Sequence, residues 1–281
     1  MGDRKRSSRR QRREPIRRMI PPTPGPDDRR FRRNEPALMP VYEFSPMFGQ
    51  LVEAPVEVVP LLAALAVLHQ KQSGMPVGTC VPTSYQISGA LRHLGFDAEP
   101  VAACATLHRA TDTFSEVAEV GVSKHPPVVH PDGTTNGHMV VWTSSFARLV
   151  DATLVQDPVL LAAAQVDPVY SMPVFVDVSA DREEFLRSRP VVQLDDRLHA
   201  SWVLLPEWTT SMDPILEGKT GTIVKLGALG LATDALRLIR ALRKERDLTA
   251  LPARYPRLGA LLAGDERLTE LPPEPLPEPA R

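Results

Sequence analysis

The residues of this chain best suited to chemistry are one cysteine, one histidine and one aspartate: Cys80, His138 and Asp151. A thiolate attacks carbonyl carbons, an imidazole beside it moves the protons, and a carboxylate fixes the imidazole in one tautomer. Cys80 follows a loop-like segment and precedes a helical pattern, and the positive end of a helix stabilises a thiolate relative to a thiol. The residue types and their order therefore predict a Cys-His-Asp triad.

His138 and Asp151 stand at the start and near the end of two predicted strands. Residues 138–143 are mostly β-branched, aromatic or apolar, and 148–153 follow them after a short turn, which is typical of neighbouring strands. An antiparallel pair with this loop length would place the histidine and the aspartate side by side on one face of a sheet. The aspartate would then orient the imidazole toward Cys80.

Three further residues could support this site. Thr153 and Gln156 either brace Asp151 or simply end a strand. Trp142 lies four residues after His138 and therefore shares its strand face. It either forms a wall of the site or belongs to the core.

The two cysteines also have a structural interpretation. Most free cysteines are small buried hydrophobes, so Cys80 could be one of them. Cys104 lies within a predicted strand among alanine and valine, and core packing is the interpretation that its surroundings favour.

The elements that position these residues follow from the apolar spacing. Residues 60–70 predict one helix, and a second helix follows Cys80 and ends at Gly95, a residue suited to a helix C-terminus. Strands are predicted at 98–107, 174–178 and 201–205, and the longest helical pattern covers 222–246. Helices followed by mainly strands and then again by helices indicate an α+β fold.

Within this framework, three segments resemble a known family. The sequence Gly78-Thr79-Cys80 with the helix after it resembles the cysteine helix of transglutaminase-like and papain-like cysteine enzymes. Gly137-His138 with its strand resembles the histidine strand of these enzymes. Residues 149–153 with Gln156 resemble the next strand of some bacterial members. The resemblance covers about residues 75–156. It implies a cysteine helix packed on an antiparallel sheet. By likeness to papain, it also implies Gln72 as an oxyanion donor.

The function implied by this resemblance is acyl transfer, or amide or peptide hydrolysis, through a Cys-His-Asp triad. The substrate would be a protein, a peptide or a small amide, and no cofactor is expected. No metal site is expected either, because two cysteines 24 residues apart and scattered histidines do not match zinc-ligand spacing. The alternative is a non-catalytic binding protein on the same fold that docks through a basic N-terminal arm.

Charge and composition divide the chain into a folded part and two tails. Residues 1–35 carry a local net charge of +8, which leaves about -9 on the other 246 residues. We predict a disordered Arg/Pro-rich tail at 1–40, one folded domain at 41–265 and a disordered Pro/Glu tail at 266–281. The basic tail either docks on an acidic partner or only solubilises the chain.

The expected location is the cytoplasm. Two cysteines do not make a disulfide framework, which favours a reducing compartment. The most apolar run, 58–68, is about half of the roughly 20 residues that a membrane-spanning helix needs. We therefore predict no membrane span.

Overall fold

A computed structural model describes much of the folded part of the chain. The described residues are 59, 62, 80–109, 115–131, 134–154, 174–194, 198–242 and 254–268. Val59 and Leu62 are helical and fully buried. Most of the predicted helix 60–70 lies outside the described residues, as do Gln72, Gln156, the whole tail 1–40 and positions 269–281 of the other tail.

Helices and antiparallel strands alternate irregularly along the described residues, which confirms the α+β prediction. The α-helices are α1 (Cys80–His93), α2 (Arg182–Arg187), α3 (Lys219–Leu242) and α4 (Pro256–Ala263), with 3-10 helices at Ser144–Phe146 and Pro206–Leu216. The strands are β1 (Glu99–Arg109), β2 (Ser115–Val120), β3 (His138–Thr143), β4 (Arg148–Asp151), β5 (Val174–Asp177), β6 (Val191–Gln193) and β7 (Leu198–Leu204). The sequence patterns did not predict β2, α2, α4, β6 or the 3-10 helix at Pro206–Leu216.

The described strands form one seven-stranded sheet in the order β5-β4-β3-β1-β7-β6, with β2 paired to β1. Strand β7 pairs with residues 103–109 of β1, so β2 and β3 must share the other edge. The last residue of β2 pairs with Ala105, and the first residue of β3 pairs with Ala103. The two strands therefore meet end to end beside Cys104.

The sheet has a buried cluster on each face. One face carries what we call the tryptophan-side cluster, which includes Val140, Trp142, Leu149, Phe185 and Trp202. The other face carries the cysteine-side cluster, which consists of Cys80, Val81, Ala102, Cys104, Met139, Leu205, Met212 and Ile215. Because both faces of β1 are covered, this strand lacks the alternation of apolar and polar residues that a half-exposed strand shows.

Helix α1 packs against β3 and places Cys80 at its first turn. The Ser84 hydroxyl donates a hydrogen bond of 2.9 Å to the Met139 carbonyl. The helix ends as predicted at Gly95, which has a φ of 87°, and the Phe96 N–H donates to the Leu91 carbonyl at 3.0 Å. Glycine adopts this left-handed conformation without the cost that a Cβ would bring.

The folded part extends past the predicted boundary at residue 265. Arg257 pairs with Glu266 at 2.7 Å, and His93 Nδ1 lies 2.7 Å from the Leu268 carbonyl oxygen. These contacts attach 266–268 to α1 and α4. Among the residues that the structure describes, no helix combines the length and the apolar character needed to cross a membrane.

Candidate active site

The structure brings His138 and Asp151 into direct contact. The antiparallel pairing of β3 with β4 places the first residue of one strand near the last residue of the other. His138 Nε2 lies 2.6 Å from Asp151 Oδ2, and the two side chains are only 2% and 0% exposed. A short contact of this kind between buried groups is typical of a charge-assisted hydrogen bond.

The Asp151 carboxylate is surrounded by hydrogen-bond donors. Its Oδ1 accepts from the Leu154 N–H at 2.9 Å and from the Thr153 N–H at 3.2 Å. Its Oδ2 accepts from Trp202 Nε1 at 2.9 Å, in addition to the contact with His138. A buried carboxylate is costly unless its oxygens are paired, and here both oxygens accept. The site is therefore built to hold Asp151 as an anion.

The charges of the pair stabilise each other. Burial opposes both charged forms, but the Asp151 charge and its hydrogen bond outweigh this effect and raise the pKa of His138 from 6.5 to about 10. Burial likewise acts to raise the pKa of Asp151, but the His138 charge and the hydrogen bonds from His138, Trp202 and Thr153 lower it overall. An imidazolium–carboxylate pair is therefore the form present at neutral pH.

Cys80, the third member of the predicted triad, lies in the first turn of α1. Its thiol lies 3.6 Å from the Gly137 carbonyl oxygen, to which it can donate. Interaction with Cys80 also contributes to the raised pKa of His138. Since Asp151 occupies Nε2, the ring nitrogen left to exchange a proton with the thiol is Nδ1. Cys80 is 6% exposed.

Cys80 lies beside the start of β3, since its thiol contacts the carbonyl oxygen of Gly137, the residue before His138. Ala103 pairs directly with His138 and belongs to the tryptophan-side cluster, whereas Cys80 belongs to the cysteine-side cluster. The loop after β2 passes close to this point, because a Cβ on Gly121 would lie 2.9 Å from the His138 Cβ and 2.6 Å from the Ala103 carbonyl oxygen. Gly121 also has a φ of 89°. A larger residue there would push against the histidine.

The predicted supporting residues have different positions in the structure. Thr153 contacts Asp151 mainly through its backbone N–H, which donates to the carboxylate. This contact fits the interpretation in which Thr153 braces Asp151. Trp142 stacks on Phe185, with ring centroids 5.1 Å apart, and its Nε1 donates to the Ser179 carbonyl at 3.0 Å. These contacts join β3 to α2, which favours the core interpretation of Trp142.

Trp202 is a residue of this site that the sequence patterns did not predict. It is 1% exposed, and its indole N–H donates to the same Asp151 oxygen that His138 contacts. The pairing of β7 with β1 aligns Trp202 with Ala105, on the face that also carries His138. Nothing in the local sequence around Trp202 reveals this contact, because it depends on a strand pairing.

Several apolar side chains pack around the cysteine-side cluster. Tyr85, Val129 and Trp208 pack against the cysteine-side cluster from α1, from the loop before β3 and from the 3-10 helix at Pro206–Leu216. A Cβ on Gly137 would collide with Pro127 and Met212, so this loop and the 3-10 helix press together beside the thiol. Within the described ranges, no group of three His, Cys, Asp or Glu side chains could hold a metal ion.

Comparisons with known proteins returned no match to a family model, a curated protein or a solved structure.

Proposed function

We propose that this chain is a cysteine enzyme that transfers acyl groups or hydrolyses amides, with Cys80 as nucleophile, His138 as general acid and base, and Asp151 as the group that orients His138. The observation that carries the proposal is the buried His138–Asp151 pair beside Cys80, whose thiol lies 3.6 Å from the carbonyl oxygen of Gly137, the residue before His138. A purely structural core cysteine needs neither neighbour.

In the first half of the reaction, the Cys80 thiolate attacks the carbonyl carbon of an amide or thioester. A C–S bond forms, and the carbonyl π electrons move to the oxygen. The His138 imidazolium then gives its Nδ1 proton to the leaving amine or thiol as the bond to that group breaks. The products are a free amine or thiol and an acyl-enzyme with a neutral imidazole.

In the second half, His138 Nδ1 takes a proton from water or from an acceptor amine, whose oxygen or nitrogen attacks the acyl carbon. The C–S bond breaks, Cys80 leaves as a thiolate, and the imidazolium is restored. The anion of Asp151 keeps Nε2 protonated throughout and stabilises the charged imidazole.

The negative oxygen of each tetrahedral intermediate needs donors aimed at it. The Cys80 backbone N–H is one such donor, because the first N–H groups of a helix have no partner within the helix. Gln72, which lies outside the described residues, remains the proposed second donor.

The overall arrangement also supports a transglutaminase-like or papain-like fold. A helix that begins at the cysteine packs on an antiparallel sheet, and the histidine and aspartate come from two adjacent strands of that sheet. This is the order of elements that the sequence resemblance implies.

The test uses two reagents on the full-length protein. Alkylation by iodoacetamide at pH 7 is followed at each cysteine by peptide mass spectrometry, and p-nitrophenyl acetate is used to trap an acetyl group on Cys80. At pH 7 a free thiol is only a few per cent thiolate. We therefore expect His138→Ala to slow alkylation of Cys80 about tenfold or more, and Cys80→Ala to abolish the acetyl-enzyme.

Two controls keep the result interpretable. Cys104→Ala should leave acetylation of Cys80 unchanged, and His138→Gln, a variant closer in size to wild type, should slow alkylation as His138→Ala does. Circular dichroism checks that each variant is folded. If Cys80 is never acetylated, or if folded wild type and histidine variants alkylate at the same rate, Cys80 is a structural cysteine and the proposal is wrong.

A further inference from the structure

An exposed carboxylate lies close to the cysteine-side cluster. Glu119, on β2, accepts a hydrogen bond of 2.8 Å from the Cys104 thiol, and Cys104 belongs to the same cluster as Cys80. The end of β2 also contacts the catalytic group, because a Cβ on Gly121 would lie 2.9 Å from the His138 Cβ and 3.3 Å from the Cys104 Cα. Glu119 is therefore two residues from a point of contact with His138.

A second exposed carboxylate is attached to this cluster from another element. Asp213 lies in the 3-10 helix at Pro206–Leu216 and accepts a hydrogen bond of 2.5 Å from the Tyr85 hydroxyl. Tyr85 packs against the cysteine-side cluster, one and a half turns of α1 after Cys80. Burial raises the pKa of Tyr85, as do the hydrogen bond and the charge of Asp213, so the phenol stays protonated and remains a hydrogen-bond donor.

Neither carboxylate is neutralised within the described part of the chain. The ion pairs found there involve other acids, namely Glu99, Asp151, Asp177, Glu183, Asp234 and Glu266. Lys124, in the loop that follows β2, is exposed and takes part in none of these ion pairs. Each carboxylate is instead held by a neutral donor, Cys104 or Tyr85, and these donors orient the carboxylates without cancelling their charge.

We propose that Glu119 and Asp213 make the approach to Cys80 anionic, and that the substrate carries an ammonium or guanidinium group near its reacting carbonyl. This inference rests on the proposed function of Cys80. A fixed negative charge attracts a cation across a partly solvated distance of several ångströms and is screened by salt beyond about 8–10 Å. Glu119 and Asp213 therefore affect which substrates are selected, and the triad carries out the acyl transfer.

The test measures charge selection directly at the Cys80 sulfur. Methanethiosulfonates react with a thiolate by forming an S–S bond and releasing methanesulfinate, so the same chemistry is available with a cationic (2-aminoethyl), a neutral (methyl) and an anionic (2-sulfonatoethyl) reagent. Rates at Cys80 are read by peptide mass spectrometry and divided by the rates of the same reagents with 2-mercaptoethanol, a thiol with no other charged group. This division removes the intrinsic difference between the reagents.

In wild type we expect the normalised rates to fall in the order cationic, neutral, anionic. Glu119→Gln and Asp213→Asn each keep the size and an acceptor oxygen, and each should lower the cationic-to-anionic ratio about two- to fivefold, with a larger loss in the double variant. High salt should reduce the wild-type ratio in the same direction. The matched control is Glu183→Gln, an exposed acid on α2, which should leave the ratio unchanged.

An unchanged ratio in the folded double variant, or an equal change in Glu183→Gln, would overturn this inference. The neutral reagent separates that failure from failure of the proposed function. If its rate at Cys80 is as slow as that of a free thiol and insensitive to His138→Ala, the triad is wrong, whatever the ratio of charged reagents shows.

Discussion

Cys80 and Cys104 lie in the same buried cluster, but the side chains beside their sulfur atoms carry opposite charges. Cys80 is 6% exposed and interacts with His138, whose pKa is raised to about 10, so that this neighbour is cationic at neutral pH. Cys104 is 2% exposed, and its thiol donates a hydrogen bond to the carboxylate of Glu119. A cationic neighbour favours a thiolate, and an anionic one favours the thiol. Burial alone therefore does not distinguish a nucleophile from a packing residue, whereas the charge beside the sulfur does.

The largest expected contrast is in the free energy of unfolding, between substitutions of Asp151 and of Glu119. Asp151→Ala removes one partner of a fully buried ion pair, and we expect it to lower the free energy of unfolding by about 3–5 kcal/mol. Glu119→Ala removes an exposed acid beside Cys104 and should change it by about 0.5 kcal/mol or less. Urea denaturation of the two variants measures both values. Equal losses would show that the Asp151 side chain is no more important to the fold than a surface acid.

Trp202 provides the next contrast. Trp202→Phe removes a hydrogen bond to a charged oxygen, and we expect a loss of about 2 kcal/mol in the free energy of unfolding. It should also slow alkylation of Cys80 by iodoacetamide several-fold, because Asp151 then orients His138 less firmly. The matched control is Trp142→Phe, which loses only the bond to the Ser179 carbonyl. If both variants leave the alkylation rate unchanged, Trp202 is a packing residue only.

The two thiols themselves should differ by about tenfold or more in alkylation rate at pH 7, with Cys80 the faster. Peptide mass spectrometry of wild type after brief exposure to iodoacetamide gives the ratio. Unfolding in urea removes both neighbours and should bring the two rates together. A faster reaction at Cys104 in the native protein would reverse the comparison.

The most gradual effect is the pH dependence of stability, at most about 1.4 kcal/mol for each pH unit. The raised pKa of His138 contributes stability that is fully present below 6.5, the ordinary value, and is lost as the pH rises through about 10. The lowered pKa of Asp151 contributes stability that is present above its ordinary value of 3.8 and is lost as the pH falls through the lowered one. Between pH 3.8 and 6.5 the contribution of the pair is therefore constant.

Urea denaturation of wild type and His138→Gln between pH 6.5 and 10 tests the sign of the His138 contribution. The difference in free energy of unfolding between the two proteins should shrink from pH 6.5 toward pH 10. The same difference measured for Trp142→Phe should not depend on pH in that window. A difference that grows with pH would contradict the assignment of His138 as a buried imidazolium.

Local patterns predicted the elements that carry the candidate site. A glycine at position 95 with apolar residues before it is enough to indicate the end of α1, and the β-branched residues after His138 are enough to indicate β3. The aspartate-turn bonds from Thr153 and Leu154 to Asp151 span only two and three residues, so they too depend on local sequence. These features need no knowledge of distant contacts.

The amino-acid sequence by itself thus determined the helix that begins at Cys80, the two strands that carry His138 and Asp151, and the α+β class. Only the tertiary structure decided that Trp202 donates to Asp151, that Glu119 faces Cys104 and that Gly121 stands against His138. These contacts join strands that are paired across long stretches of chain, and a shift of one residue in such a pairing turns every side chain to the other face. Local sequence sets which strands form, and the packing of the whole sheet sets which of their side chains meet.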